Sequence, residues 1–196
     1  MKVSIKGCKG IGRCTADTEC ILQEEYAKGV IVVLVDAGVD PREKLAEQIA
    51  KMVMNECMKE PDTAAERAME SIMSVREVSD KASIGVIVTD GKMWGIACNG
   101  KNKIFDISHG KLDAEWEADG EPIMGKYIYT SIMTKSGDGV LVATDGFWSK
   151  LEEEEVLIDY NKSRTPNEWL SYMMTRIGSR LTDSDDSYSA VAVMCE

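Results

Sequence analysis

A run of four apolar residues, Val140–Ala143, constrains the fold more than any other stretch of the sequence. A glycine precedes the run and Thr144, Asp145 and Gly146 follow it, a pattern typical of a strand that is buried on both faces and ends in a turn. An ionised aspartate is costly to bury unless it is paired or binds a metal. Asp145, where the backbone leaves the sheet, therefore needs a partner.

Two further apolar strands carry aspartates at their ends. Val30–Val35 is followed by Asp36, and Tyr188–Met194 is preceded by Asp186, with Asp185 beside it. A single aspartate at such a position is normally a turn residue or a helix cap. If the three strands are neighbours, their carboxylates converge and repel one another unless cations neutralise them. Oxygen ligands without His or Cys nearby favour Mg²⁺ or Mn²⁺ over zinc, and spacing alone leaves both structural turns and a metal site open.

The succession of apolar patterns indicates an α+β fold. Helical periodicity occurs twice after the strand Val30–Val35, so two consecutive helices are expected to cover a sheet. Three later strand patterns with turn signals between them predict a three-stranded meander, and the polar residues 109–126 predict a loop or weak strands. Strands flanked by helix pairs imply a layered sandwich, expected as a single domain over residues 1–196. The predicted helices are 41–57, 63–78, 151–159 and 166–181, and the other predicted strands are 2–6, 20–22, 83–89, 93–98, 103–108 and 127–134.

Composition and charge narrow the classes of function. The chain has 196 residues, 44% of them apolar and 29% charged, as in an ordinary soluble globular protein. The net charge of −11 argues against a nucleic-acid or anionic-membrane surface, because either requires clustered Lys and Arg. No segment resembles a secretory signal or a membrane span, so the six cysteines are expected to be reduced and the protein cytoplasmic. The lack of a Cys-x-x-Cys pair disfavours a zinc site.

The order and local sequence of these motifs resemble the metal-dependent serine/threonine protein phosphatase family, type 2C. The closest match is Thr144-Asp-Gly-Phe-Trp-Ser149, which resembles the family's Ser-Asp-Gly-(Leu/Phe)-(Trp/Phe)-Asp element. Val33-Leu-Val-Asp36-Ala-Gly38 resembles its strand that ends in Asp-Gly-His-Gly-Gly. The remaining matches are Asp186-Ser-Tyr-Ser189 to its closing Asp-Asn-x-(Thr/Ser) strand, Ala82-Ser83-Ile84 to its Gly-Ser-Thr strand start, and Arg13-Cys-Thr-Ala-Asp17 to its Arg-x-x-x-(Glu/Gln)-Asp segment.

The resemblance implies a fold, a reaction and a set of site residues. The implied fold is a four-layer α-β-β-α sandwich, in which two antiparallel sheets pack face to face with helices outside. The implied reaction is hydrolysis of phosphoserine or phosphothreonine in a phosphoprotein substrate, by a water shared between two Mn²⁺ or Mg²⁺ ions. The implied residues are Asp36 as bridging ligand, the Ala37 carbonyl, Asp145 and Asp186 as further ligands, Arg13 for the substrate phosphate, and Asp17 and Asp185 as candidate accessory acids.

Three departures from the family pattern keep a second function open. Ala16 replaces the glutamate that usually precedes the aspartate at Asp17, and Gly38 replaces the family's histidine. Some bacterial branches, resembling the sporulation stage II type E, also lack that histidine. Lys101 stands where an aspartate for a third metal is expected. The alternative is therefore a catalytically silent phosphatase fold that serves as a regulatory or binding module, and a third hypothesis is a plain α+β interaction domain whose aspartates only cap and turn.

Overall fold

The structure is a computed structural model that describes residues 3–12, 18–26, 29–38, 44–59, 70–75, 82–89, 92–117, 128–133 and 135–196. Residues 70–74 are helical, and no helix in the described ranges is long and apolar enough to cross a membrane. The strands are β1 (Val3–Gly10), β2 (Glu19–Tyr26), β3 (Gly29–Asp36), β4 (Ser83–Thr89), β5 (Met93–Cys98), β6 (Lys103–Ser108), β7 (Lys111–Glu117), β8 (Ile128–Met133), β9 (Gly139–Ala143) and β10 (Tyr188–Cys195). The helices with both ends described are α1 (Leu45–Lys59), α2 (Asp145–Trp148), α3 (Glu153–Lys162) and α4 (Pro166–Arg180).

The chain divides into two compact units, and the first contains Met1–Asp17, Lys103–Trp116 and Lys135–Glu196. Its five-stranded sheet has the order β1-β10-β9-β6-β7, and β10 pairs antiparallel with both β1 and β9. Alternate side chains of the sheet pack with α3 and α4 in one hydrophobic cluster, which contains Trp169. The indole N–H of Trp169 donates to the carbonyl of Val156 at 3.1 Å, so this large side chain is buried without an unsatisfied donor.

The second unit contains Thr18–Asn102 and Glu117–Thr134 and has its own five-stranded sheet, of order β2-β3-β4-β5-β8. All its neighbouring strands pair antiparallel, and β3 lies between β2 and β4. One stripe of α1 packs on this sheet, because its apolar residues recur at the three- and four-residue spacing that places them on one helix face. The buried residues of α1 are Leu45, Ala46, Ile49, Ala50, Val53, Met54 and Cys57.

The predicted α+β class is confirmed, and β4, β5 and β6 have the bounds predicted from the sequence. The three-stranded meander is wrong, because β6 pairs with β9 in the sheet of the first unit. The connection from β5 to β6 is bound to the start of β4 instead of forming a hairpin. The Asn99 side chain accepts from the Ile84 N–H at 2.7 Å, and the Ser83 hydroxyl accepts from the Lys101 N–H at 3.0 Å.

The polar region after β6 contains a strand, β7, so the strand interpretation is correct for residues 111–117. Residues 118–126 lie outside the described residues. Both residues of the turn between β6 and β7 have positive φ, 50° at His109 and 72° at Gly110. This is the conformation of a two-residue type I′ hairpin turn, which matches the twist of the strands it connects. The predicted helix start at 41 lies outside the described residues, as do residues 63–69 and 76–78 of the predicted helix 63–78.

Asp106 is a buried carboxylate in the middle of β6. It lies opposite Val140 of β9 and is only 5% exposed. Asp138, also buried, accepts hydrogen bonds from the Ser108 hydroxyl at 3.1 Å and from the Lys135 N–H at 2.8 Å. Burial raises the pKa of Asp106 to about 6, and the negative charges of Asp113 and Asp138 contribute further to the increase.

We expect Asp106→Asn to stabilise the protein at pH 7.5, by up to about 3 kcal/mol, because each pKa unit corresponds to about 1.4 kcal/mol. The native carboxyl takes up a proton near pH 6, whereas the ordinary value is 3.8, so stability contributed by this group is highest below pH 3.8 and is lost as the pH rises through 6. The stability gain of the variant should therefore disappear on acidification from pH 6 to pH 4. Urea unfolding at several pH values measures this difference.

The exposed Glu24 of β2, in the second unit, provides a control for the loss of one negative charge. Glu24→Gln should change the free energy of unfolding by less than about 0.5 kcal/mol, as is usual at surface positions. Equal stability of Asp106→Asn and wild type at pH 7.5 would contradict the prediction.

Candidate functional site

Asp145 and Asp186 lie next to the paired ends of neighbouring strands in the first unit. Thr144, directly after β9, and Ser189 of β10 are joined by three hydrogen bonds. The Thr144 N–H donates to the Ser189 carbonyl at 3.0 Å, its hydroxyl donates to the same carbonyl at 3.2 Å, and the Ser189 N–H donates to that hydroxyl at 3.0 Å. Asp145 follows Thr144 directly, and Asp186 precedes Ser189 by three residues. The strand pairing therefore places both aspartates at the same end of the sheet.

Gly146 allows the two aspartate segments to approach closely. A Cβ atom at this position would lie 2.2 Å from the carbonyl oxygen of Ser187, a distance that no side chain tolerates. Each aspartate is also oriented by the N–H of the next residue. Gly146 donates to Oδ1 of Asp145 at 3.0 Å, and Ser187 donates to Oδ1 of Asp186 at 2.8 Å. These contacts hold the carboxylates against their own backbone.

Asp185 forms an ion pair with Lys150, the second residue after α2. The other Asp185 oxygen, Oδ2, accepts from the Thr182 backbone N–H and, at 2.9 Å, from the Thr182 hydroxyl. The hydrogen bond from Lys150 lowers the pKa of Asp185 to about 2, with the Thr182 N–H as the next contribution. The carboxylate is therefore ionised at neutral pH and is occupied by contacts within its own unit.

The end of β1 packs against the Asp186 segment. Gly10 lies opposite Tyr188, and a Cβ atom at Gly12 would lie 2.0 Å from the carbonyl oxygen of Asp185. The candidate phosphate ligand Arg13 and the candidate accessory acid Asp17 lie outside the described residues. The described chain thus runs along the Asp186 segment up to the residue before Arg13.

Lys103 is a buried cation at the same end of the sheet. It lies opposite Ala143 at the end of β9 and is 8% exposed. Its ammonium group lies 5.1 Å from the ring centre of Phe105 and 4.9 Å from that of Trp148, which is cation–π geometry. Lys103 therefore contacts Trp148, the last residue of the helix α2 that begins with Asp145.

In the second unit, Asp36 is the last residue of β3. Its Oδ1 accepts from the Gly38 N–H at 2.8 Å, an Asx-type turn in which Gly38 has a φ of 61°. Ala37 is buried, and its N–H donates to the Thr18 carbonyl at 3.1 Å. Ala37 is not among the described residues with positive φ, so the left-handed position in this motif is Gly38. Alanine is thus compatible with the backbone next to Asp36.

Glu19, a residue that we did not single out from the sequence, lies directly opposite Asp36 in the pairing of β2 with β3. Directly opposed residues project from the same face of a sheet, with Cβ atoms about 5 Å apart. Glu19 is only 4% exposed, so Asp36 has a second, buried carboxylate as its cross-strand neighbour. On its other side Asp36 lies opposite Ser83 of β4.

The chemistry of the candidate ligands fits a hard divalent cation. Asp36, Asp145 and Asp186 offer carboxylate oxygens and Ala37 offers a carbonyl, which are the donors that Mg²⁺ and Mn²⁺ prefer. Within the described residues, no group of three or more His, Cys, Asp or Glu side chains is spaced to hold a metal ion. Sheet pairing brings Asp145 and Asp186 together, whereas Asp36 belongs to the sheet of the second unit. The strands that carry Asp145 and Asp186 are therefore neighbours in one sheet, and the strand that carries Asp36 pairs with β2 and β4 in the other.

The comparisons with known proteins concern the fold. No protein-family model and no curated protein sequence matches the chain. Solved structures do match over nearly its whole length. PppA of Pseudomonas aeruginosa has a TM-score of 0.78 at 10% identity and covers 100% of this chain and 99% of its own. The serine/threonine phosphatase of S. agalactiae has a TM-score of 0.74 at 15% identity, with 100% of both chains covered. The catalytic domain of the phosphatase PstP, solved in complex with two manganese ions, has a TM-score of 0.68 at 13% identity and covers 98% of this chain and 100% of its own.

These matches define the class of fold. The chain has the fold of the type 2C serine/threonine phosphatases, and the resemblance inferred from the motifs is confirmed at that level. The contacts of Lys103, Lys150 and Glu19 were missed by the sequence reasoning. A lysine or glutamate carries no periodicity signal of its own, and its neighbours are set by strand register and not by spacing along the chain.

We expect Gly146→Ala to destabilise the protein by roughly 1–3 kcal/mol, the usual cost of forcing extra volume into a packed position. The new Cβ would lie 2.2 Å from a backbone oxygen, so the Asp145 and Ser187 segments must separate. Gly178→Ala provides the matched control, because Gly178 is an exposed residue of α4 with nothing within 4 Å of an added Cβ. The control should stabilise the protein by about 0.5–1 kcal/mol. Chemical denaturation of both variants tests the prediction, and equal effects would contradict it.

Proposed function

We propose that this protein is a Mn²⁺- or Mg²⁺-dependent phosphatase that hydrolyses phosphoserine or phosphothreonine in proteins. The observation that carries the proposal is the placement of Asp145 and Asp186 at the joined ends of β9 and β10, with each carboxylate oriented by its own backbone. The type 2C phosphatase fold supports it, since those residues occur in the motifs by which the chain resembles that family. We further propose that residues 1–196 act as a single phosphatase domain.

We assign the metal ligands to Asp36, the carbonyl of Ala37, Asp145 and Asp186. In this assignment Asp36 would contribute to the binding of both ions, and the other three residues would supply further oxygen ligands. Bound divalent ions would supply an activated water and neutralise charge on the phosphoryl group. The PstP catalytic domain, which has the same fold, was solved with two manganese ions, and this supports the proposed number of ions.

We assign the substrate phosphate to Arg13, because a guanidinium binds phosphate oxygens through two parallel hydrogen bonds. The packing of Gly12 on the backbone of Asp185 and Asp186 supports assigning the following residue to this site. Gly38 has no side chain, so this position supplies no acid to the leaving oxygen. Asp17 remains a proposed accessory acid, and Asp185 serves through its contacts with Lys150 and Thr182.

The purified protein should hydrolyse p-nitrophenyl phosphate and a phosphothreonine peptide when Mn²⁺ is added, and chelation should abolish the activity. Asp145→Asn and Asp186→Asn should each lower kcat/KM at least about 100-fold, because each removes a charged metal ligand. Asp183→Asn is the matched control, since it removes one negative charge from an exposed position in the same segment as Asp186. Its activity should stay within about twofold of wild type. Circular dichroism confirms that each variant is folded.

The outcomes separate the three functions that the sequence leaves open. A folded protein that binds Mn²⁺ in calorimetry but shows no turnover on either substrate would overturn the phosphatase proposal and support a silent regulatory module. A folded protein that neither binds Mn²⁺ nor turns over substrate would overturn the metal site as well. Metal-stimulated turnover that survives Asp145→Asn would show that the reaction uses other residues.

A further inference from the structure

Asp185 makes side-chain contacts within the segment that leads from α4 to β10 and with Lys150 outside it. Its carboxylate closes the turn by accepting from the N–H and the hydroxyl of Thr182, and the Asp185 N–H donates back to the Thr182 carbonyl at 3.3 Å. The other carboxylate oxygen, Oδ1, accepts a hydrogen bond from the ammonium group of Lys150. Asp186, the next residue, therefore follows a turn whose position is tied to Lys150.

The backbone of Lys150 is held near the segment of Asp145, the other proposed metal ligand. It follows α2, the short helix that begins with Asp145, and its backbone carbonyl accepts from the Arg180 guanidinium at 2.6 Å. Arg180 also pairs with Glu155 of α3 at 2.6 Å and 2.7 Å. The backbone of Lys150 is therefore fixed by Arg180 of α4, which Glu155 of α3 holds in turn, while the Lys150 side chain reaches Asp185.

The ion pair joins the segment of Asp145 to the segment of Asp186 within one unit. The side chains of Lys150 and Asp185 are 24% and 13% exposed, so the pair is much better shielded than Lys51 and Glu47 on α1, at 61% and 42%. An exposed pair contributes little to stability, whereas a shielded pair with additional hydrogen bonds fixes a geometry. This contact complements the Thr144–Ser189 pairing, which joins the same two segments through the sheet.

We propose that Lys150 is a positioning residue for metal binding, which sets the separation of the Asp145 and Asp186 carboxylates through its ion pair with Asp185. The inference rests on the proposed function, since it assigns these two aspartates as ligands. Lys150 touches neither ion nor substrate in this role. Its loss leaves both ligands in the chain but lets the segment 182–186 move away from α2.

The direction in which the Mn²⁺ affinity changes when Lys150 is replaced distinguishes a positioning role from a purely electrostatic effect. Removing a positive charge near a cation site raises cation affinity if charge is the dominant effect. Removing a positioning residue lowers the affinity, because the ligands are no longer held in place; contacts that orient metal ligands typically contribute about 10–100-fold. Lys150→Met therefore has opposite expected outcomes under the two explanations.

We expect Lys150→Met to weaken Mn²⁺ binding about tenfold, measured by isothermal titration calorimetry on the full chain. The Mn²⁺ concentration for half-maximal activity should rise by the same factor, while kcat at saturating Mn²⁺ stays within about twofold of wild type, since no group that contacts substrate has changed. Lys150→Arg keeps the charge and the donors, and should restore wild-type affinity. Lys162→Met, at an exposed position in the same unit, is the matched control for loss of one positive charge and should leave the affinity unchanged.

Each outcome bears on the inference. Affinity in Lys150→Met that equals or exceeds the wild-type value, in a protein shown to be folded, would overturn the positioning role and leave the proposed function intact. A weakened affinity that Lys150→Arg fails to restore would also overturn it, because the ion pair would then not be the cause. Wild-type protein that binds no Mn²⁺ would overturn the proposed function and this inference together.

Discussion

The pairing of β9 with β10 is the interaction on which the candidate site depends. Thr144 and Ser189 exchange three hydrogen bonds at the last point where the two strands run side by side. Since backbone groups that leave a sheet must find other partners, the strand ends are where turns and functional side chains are concentrated. The pairing thereby places two carboxylates from distant parts of the sequence at one end of the first unit's sheet.

Backbone and side-chain contacts around these carboxylates fix the position of their segments. Gly146 permits a backbone approach that any side chain would prevent, and Gly12 permits a similar approach from β1. The ammonium group of Lys103 lies over the rings of Phe105 and Trp148, so it contacts the last residue of the helix that starts at Asp145. Close backbone contacts thus fix the positions of the two segments that carry the aspartates.

Much of the fold could be predicted from the sequence because strand and helix periodicities are local signals. β4 and β5 were predicted residue by residue, and α4 begins where Thr165 and Pro166 indicated, with the Thr165 hydroxyl accepting from the Glu168 N–H. The partner of β6 could not be predicted in this way. Its turn signals suggested a hairpin with β5, but the contacts of Asn99 and Lys101 with the start of β4 direct the chain into another sheet. Contacts between residues far apart in sequence decided the topology.

By itself the sequence determined which residues are candidates, since the aspartates at the ends of apolar strands and the ordered motifs around Asp36, Asp145 and Asp186 are visible in it. It also indicated which kind of ion these candidates suit, because aspartate side chains offer oxygen donors. Only the tertiary structure decided the neighbours of those candidates. Strand register placed Asp145 and Asp186 at the same end of one sheet and set Glu19 opposite Asp36, and an ion pair connected Lys150 to Asp185. The physical reason is that side chains along a strand alternate between its two faces, so a shift of one residue in pairing would exchange the cross-strand neighbours.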